Sequence, residues 1–190
     1  KRGLMRAAGD ARRPGPSRHT LFRLASGARV DVCTGMVYVR SATDEDREGI
    51  WRVHTRAIRE LCRDRYSAEE IERWAGSKTP DSYREVLQTR ATYVAERGGQ
   101  VVGFAQLDLE RGEVEAVYVS PDAVRTKVGT ALLHQLEEVA RCGGLREITL
   151  KSTLNAEPFY AQQGYERLGP AQHADLDCVQ MRKTLPHPLR

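Results

Sequence analysis

The sequence of 190 residues contains no run of 18 or more apolar residues, so no segment has the length and apolarity of a transmembrane helix. It also contains no C-x-x-C pair and no histidine cluster beside its four cysteines. Both a structural metal site and a disulfide framework are therefore disfavoured. No apolar h-region of a secretory signal peptide is visible near the first residue. These absences favour a cytoplasmic protein with reduced thiols.

Positive charge is unevenly distributed along the chain. The net charge is +4, but residues 1–35 carry eight basic and two acidic side chains, a net +6, which leaves −2 for residues 36–190. A nucleic-acid-binding function inferred from the total charge would therefore depend on the first 35 residues. These are rich in Arg, Gly, Ala, Pro and Ser without apolar periodicity, which predicts disorder. They are interpreted as sequence upstream of a true start at Met36, as an Arg-rich targeting segment, or as a weak polyanion-binding arm; we favour the first.

From Met36 the pattern becomes regular and predicts a single domain over residues 36–190. Thr43 and Ser67 are each followed three residues later by an acid, as at the start of a capped helix. A strand meander followed by a β-α crossover predicts a mixed α/β sheet with helices on its faces. The predicted strands are 37–40, 92–96, 101–107, 114–119, 147–151, 165–168 and 178–183, and the predicted helices are 50–61, one from Ser67, one from Pro80, 128–139 and 155–163.

The segment from Val117 to Leu133 is the first along the chain whose pattern indicates a binding site. A strand ends at Pro121, a basic loop follows, and an amphipathic helix begins. The N-terminus of a helix presents unpaired N–H groups and partial positive charge, which attract anions. Arg125 and Lys127 add formal charge at that position. This arrangement is typical of a pyrophosphate site, although an ordinary loop with solvated basic residues has the same pattern.

This segment resembles motif A of the GNAT N-acetyltransferase superfamily, and the segment Asn155–Tyr165 resembles motif B of that family. The resemblance covers residues 37–184. It implies the GNAT fold, a mostly antiparallel sheet with a central splayed parallel strand pair and helices on both faces. It also implies an acetyl-CoA-dependent N-acetyltransferase without a metal. Such an enzyme transfers the acetyl group to a primary amine of a small molecule or peptide by direct attack in a ternary complex.

The resemblance implies roles for individual residues as well. Tyr160 would protonate the departing thiolate, and Glu115 or Glu113 would be the general base, unless both are simply solvated strand carboxylates. In a regular strand these two acids share one face. His54 and Trp74 would line the substrate pocket, although His54 is also interpreted as structural. The implied cofactor-binding residues are Val117, Tyr118, Val119, Arg125, Thr126, Lys127, Val128, Gly129, Thr130, Asn155 and Phe159.

The phosphate loop departs from the family pattern Arg/Gln-x-x-Gly-x-Gly/Ala. Val124 replaces the first polar residue and Lys127 replaces the first glycine, so a side chain stands where the backbone normally approaches phosphate. With a negative φ, Lys127 would still offer its N–H, and we expect the affinity for CoA to be altered without being abolished. The alternative function is a catalytically weak or inactive GNAT-like module that binds acyl-CoA or has a regulatory role.

The sequence does not select the acceptor. In this family the acceptor is set mainly by the first two helices, here within residues 44–90, whose basic residues would favour a carboxylate or phosphate or would form a solvated helix face. We expect acetyl-CoA and an amine as partners, no membrane and no nucleic acid. A homodimer through exposed strand edges is a further expectation from the resemblance.

Overall fold

The computed structural model describes residues 29–32, 35–173 and 175–186. In these parts of the chain eight strands form one sheet in the order β1-β2-β3-β4-β5-β6-β8-β7. Every neighbouring pair is antiparallel except β5 and β6, which are parallel. The strands are β1 Arg29–Val32, β2 Gly35–Ser41, β3 Ala91–Arg97, β4 Gln100–Asp108, β5 Glu113–Val119, β6 Glu147–Thr153, β7 Glu166–His173 and β8 Leu176–Thr184.

Helices cover both faces of this sheet. The described α-helices are α1 Arg47–Leu61, α2 Ala68–Ala75, α3 Tyr83–Thr89, α4 Val128–Cys142 and α5 Glu157–Gln162. Helix α4 packs on one face, where it buries the largest apolar core together with Tyr160 of α5. Helices α1, α2 and α3 lie on the opposite face over two smaller apolar clusters. The predicted fold, a mostly antiparallel sheet with one central parallel pair between helical layers, is confirmed.

The helix starts show how closely local sequence determines structure. Ser67 forms the predicted capping box, because its Oγ accepts from the Glu70 N–H at 3.3 Å and the Glu70 carboxylate accepts from the Ser67 N–H at 2.8 Å. At Thr43 the N–H donates to the Asp46 carboxylate at 2.8 Å. The residues after Thr43 first form a 3₁₀ turn, so α1 begins at Arg47. Arg40 holds the same carboxylate at 2.7 Å, which ties this turn to β2.

The sheet begins earlier than the predicted domain boundary at Met36. Within the segment predicted to be disordered, Arg29–Val32 pairs antiparallel with β2, Val30 opposite Val37. An edge strand has unpaired N–H and C=O groups that a short extended segment can satisfy, which explains this pairing without an apolar pattern upstream. The predictions for residues 1–28, 33 and 34 fall outside the described residues. No helix in the described part of the chain is long and apolar enough to span a membrane.

Candidate active site

A groove opens in the middle of the sheet because β5 and β6 separate. In the described chain the two strands pair only at Glu113 with Thr149 and at Val114 with Leu150. Beyond these pairs β5 remains bonded to β4 on its other side, up to Val119 opposite Gly103. The backbone groups of β5 that point toward β6 are therefore free to pair with an extended ligand. The resulting groove has a volume of about 790 Å³.

A β-bulge at Glu115 determines which side chains face which side of the groove. Leu107 of β4 lies opposite Val114 and the preceding Gln106 opposite Ala116, so Glu115 is the additional residue on β5. Val114 packs into the core under α4, whereas Ala116 packs into the cluster under α1. After the bulge, Val117 and Val119 face α4 and Tyr118 faces α1. The groove therefore has walls on both faces of the sheet.

The loop before α4 forms one end of the groove. The first backbone hydrogen bond of α4 runs from the Ala131 N–H to the Lys127 carbonyl oxygen, at 2.9 Å. The N–H groups of Val128, Gly129 and Thr130 come before it and have no partner within the helix. A Cβ added at Gly129 would lie 3.4 Å from Phe159 and 3.5 Å from Val119, so a larger side chain would extend into the groove. These features fit a phosphate-bearing ligand with a narrow arm.

Two basic residues of this loop have an unusual backbone conformation. Arg125 has φ 62° and Lys127 has φ 63°, in the left-handed region that costs a non-glycine residue about 1–2 kcal/mol. The negative φ considered for Lys127 from the sequence is thus wrong, because the loop keeps the conformation that suits the family's glycine. Thr126 stabilises the loop between them through its hydroxyl, which donates to the Ala123 carbonyl oxygen at 2.7 Å. Arg125, Lys127 and the exposed Val124 all line the groove.

Tyr160 of α5 lines the groove on the α4 side. It is 7% exposed, and its ring lies between Phe159, with a centroid distance of 5.1 Å, and Tyr165, at 5.7 Å. Burial raises the pKa of the Tyr160 hydroxyl. A tyrosine hydroxyl is protonated at neutral pH in any case, and burial disfavours its ionised form further, so Tyr160 is a group that can donate a proton.

Asn155 connects the two halves of the site. Its Nδ2 donates to the Leu61 carbonyl oxygen at 3.1 Å, and its Oδ1 accepts from Cys62 Sγ at 3.8 Å. The loop after β6 is thereby fixed to the C-terminal end of α1. Burial raises the pKa of the Cys62 thiol to about 11, so this thiol is neutral. Asn155 lines the groove, with both ends of its amide bonded within the protein.

The two predicted acids have different positions. Glu115, in the bulge, lines the groove, whereas Glu113 precedes the point where the strands separate and is not part of the lining. Glu115 accepts from Arg90 Nε at 2.9 Å, and Arg90 also lies 3.2 Å from the Asp108 carboxylate. No local pattern indicates a role for Arg90, because this contact joins residues 25 positions apart across three strands of the sheet.

The two predicted substrate residues also differ. Trp74 lines the groove, and its ring centroid is 6.4 Å from that of Tyr118. His54 is 5% exposed, outside the lining of the groove, and contacts Tyr118 edge-on at 4.7 Å between centroids. Burial, with a smaller effect of Lys78, lowers the pKa of His54 to about 4. Its Nδ1 has no hydrogen-bond partner among the described residues, so His54 is a neutral packing residue behind Tyr118.

Comparisons with known proteins agree with this architecture. The family described as acetyltransferase (GNAT) domain matches residues 62–185. A protein named IAA acetyltransferase from Azospirillum brasilense is 31% identical over 116 residues, which cover 54% of this chain and 76% of that protein.

Solved structures give the same result. The structure described as a GCN5-related N-acetyltransferase, aminotransferase class-II, from Rhodopseudomonas palustris has a TM-score of 0.70 and 30% identity, covering 77% of this chain and 94% of that one. The PaiA N-acetyltransferase from Thermoplasma acidophilum, in complex with coenzyme A, has a TM-score of 0.69 and 21% identity, covering 78% and 98%; this likeness concerns the fold alone. The chain belongs to the GNAT acetyltransferase family and is an acyltransferase.

Proposed function

We propose that the protein transfers the acetyl group of acetyl-CoA to a primary amine of a small molecule or peptide while both substrates are bound. The observation that carries this proposal is the groove between β5 and β6, which has walls on both faces of the sheet. A thioester donor reaching it from the α4 side and an amine reaching it from the α1 side meet between the strands. No residue of the protein needs to carry the acetyl group.

The residues of the α4 side are suited to hold acetyl-CoA, which supplies an activated acetyl thioester. The N–H groups of Val128, Gly129 and Thr130 at the positive end of α4 would bind the pyrophosphate. Arg125 and Lys127, both in the lining, add formal charge. The free backbone groups of β5 at Val117 and Val119 would pair with the pantetheine amides. The ligand would thus take the place of β6, which has separated from β5 at these positions.

Two proton movements accompany transfer. The amine nitrogen forms a bond to the acetyl carbon as the carbon–sulfur bond breaks; the amine loses one proton and the sulfur gains one. Tyr160, whose hydroxyl is protonated at neutral pH, would donate to the sulfur and regain its proton from solvent. Glu115 is the better of the two candidate bases because it lines the groove. It would accept the amine proton through water while Arg90 holds its carboxylate in place.

Initial-rate kinetics test this mechanism. With both acetyl-CoA and an amine varied, a ternary-complex enzyme gives intersecting double-reciprocal lines, whereas a covalent acetyl-enzyme gives parallel lines. Calorimetric titration with CoA should show binding in the same preparation. Binding without turnover over a broad amine panel would instead favour the non-catalytic GNAT-like module. The expected homodimer and cytoplasmic location stay predictions.

A further inference from the structure

The acceptor side of the groove has an unbalanced charge. Among the described residues that line the groove, Glu115 alone is acidic, and it already forms an ion pair with Arg90 at 2.9 Å. Lys151 of β6 lines the same groove, is exposed, and has no ion pair within the described parts of the chain. An acceptor with several positive charges would find no free carboxylate there and would meet a like charge. A negatively charged group on the acceptor would find a partner.

The strand pattern places Lys151 on the same side as α1 and α2. Leu150, its neighbour, packs into the core under α4, and successive side chains of a strand point to opposite faces. Thr153, two residues after Lys151, pairs with Cys178, which belongs to the same apolar cluster as Ile58 of α1. Lys151 is also the first residue of β6 after the last pair with β5. It therefore lies where the strands begin to separate, on the acceptor face.

The rest of this wall is apolar and aromatic. Trp74 of α2 and Tyr118 of β5 contact each other edge to face, with 6.4 Å between ring centroids. Ala57 and Leu61 of α1 line the groove beside them. A flat, half-buried indole in such a wall binds aliphatic or aromatic groups by burying their surface.

Building on the acetyl transfer proposed above, we infer that the acceptor is an amino-acid-type amine, with a carboxylate close to the amine and an apolar side chain. Lys151 would bind the carboxylate as a point charge, and Trp74 would pack against the side chain. With both ends held, the amine is directed into the gap between β5 and β6. This class differs from polyamines and aminoglycosides, whose additional ammonium groups would face Lys151.

The experiment compares amines that differ in one group. L-phenylalanine and 2-phenylethylamine have the same ring and differ in the carboxylate, glycine keeps the carboxylate without the ring, and spermidine is polycationic. Their kcat/KM values are measured with the wild-type protein, with Lys151→Met, and with Lys78→Met, which removes a lysine from an exposed loop outside the groove. The two phenyl amines also differ in basicity, which affects the ratio of their kcat/KM values in the same way in every protein. A change of this ratio between the wild type and a variant therefore reports on the substituted lysine.

We expect Lys151→Met to lower kcat/KM for L-phenylalanine about tenfold and to leave 2-phenylethylamine unchanged, as for loss of a charge-assisted contact. Lys78→Met should leave the ratio as in the wild type. Trp74→Ala should lower both phenyl amines about tenfold and leave glycine within a factor of about two. An unchanged ratio in Lys151→Met, or spermidine as the best acceptor, would overturn the acceptor class and leave acetyl transfer standing. Absence of turnover with these four amines alone would overturn the acceptor class, and absence of turnover over a broad amine panel in a protein that binds CoA would overturn acetyl transfer as well.

Discussion

At the loop before α4, the proposed phosphate end of the groove, backbone N–H groups supply polar contacts, whereas on the proposed acceptor side the polar groups belong to side chains. The N–H groups of Val128, Gly129 and Thr130 exist because α4 starts there, whatever side chains these residues carry. The acceptor wall is assembled from Trp74 of α2, Tyr118 of β5 and further residues of α1 and β6. We expect a site of the first kind to tolerate substitutions in its loop, and a site of the second kind to change its ligand preference when its side chains are substituted. The experiments below test this difference, beginning with the largest expected effect.

We expect the buried packing behind the proposed acceptor side to be sensitive to acid. His54 is neutral in the folded protein because burial lowers its pKa from 6.5 to about 4. Between these two values the unfolded chain binds more protons than the folded one, so the free energy of unfolding falls as the pH decreases. The loss from this residue approaches about 3 kcal/mol by pH 4. Urea unfolding at several pH values from about 7 to about 4 measures it.

The matched control for this experiment is His134, an exposed histidine of α4. His54→Phe should flatten the dependence of the unfolding free energy on pH in this range, whatever its effect on stability at neutral pH. His134→Gln should keep the wild-type dependence. If His54→Phe loses stability on acidification as the wild type does, the pKa of His54 does not differ between the folded protein and the unfolded chain, and the packing described for the acceptor side is wrong.

The next largest effect is expected at Tyr160, which we propose to act where the two substrates meet. Tyr160→Phe removes the hydroxyl proposed to protonate the leaving sulfur, and we expect turnover to fall about 100-fold. Binding of CoA should change little, since the ring and its contacts with Phe159 remain. Tyr165→Phe is the control, because Tyr165 packs behind Tyr160 and does not line the groove. Equal turnover in the wild type and Tyr160→Phe would remove Tyr160 from the acid role.

A similar contrast separates the features that the sequence could predict from those that it could not. The start of α4, the helix capped by Ser67 and the strands on either side of Gly98 follow from apolar period and capping residues within short segments. The features missed depend on contacts between distant segments. The bulge at Glu115 is visible only in its register with β4, and the ion pair of Glu115 with Arg90 crosses the sheet. Local patterns therefore predicted the helices and strands around the groove better than the contacts between them.

The smallest effect is expected for substitutions of Lys127, which test whether CoA binding at the phosphate end depends on backbone N–H groups. Lys127 adopts a left-handed conformation, which glycine adopts without strain, so Lys127→Gly should raise the free energy of unfolding by about 1 kcal/mol, as judged from urea denaturation. Lys127→Ala is the matched variant, because it removes the same charge and keeps a Cβ. Both should lose the contribution of the ammonium group to CoA binding.

Titration calorimetry with CoA then separates strain from charge. If backbone N–H groups provide most of the affinity, the two variants should bind CoA within about fivefold of the wild type, as for one exposed charge interaction. Lys127→Gly should bind at least as tightly as Lys127→Ala, because its loop adopts the binding conformation without the cost of the left-handed region. A loss of 100-fold or more in both variants would show that the ammonium group of Lys127 provides the affinity. The phosphate end would then be a side-chain site like the acceptor wall, and the contrast between the two ends would not hold.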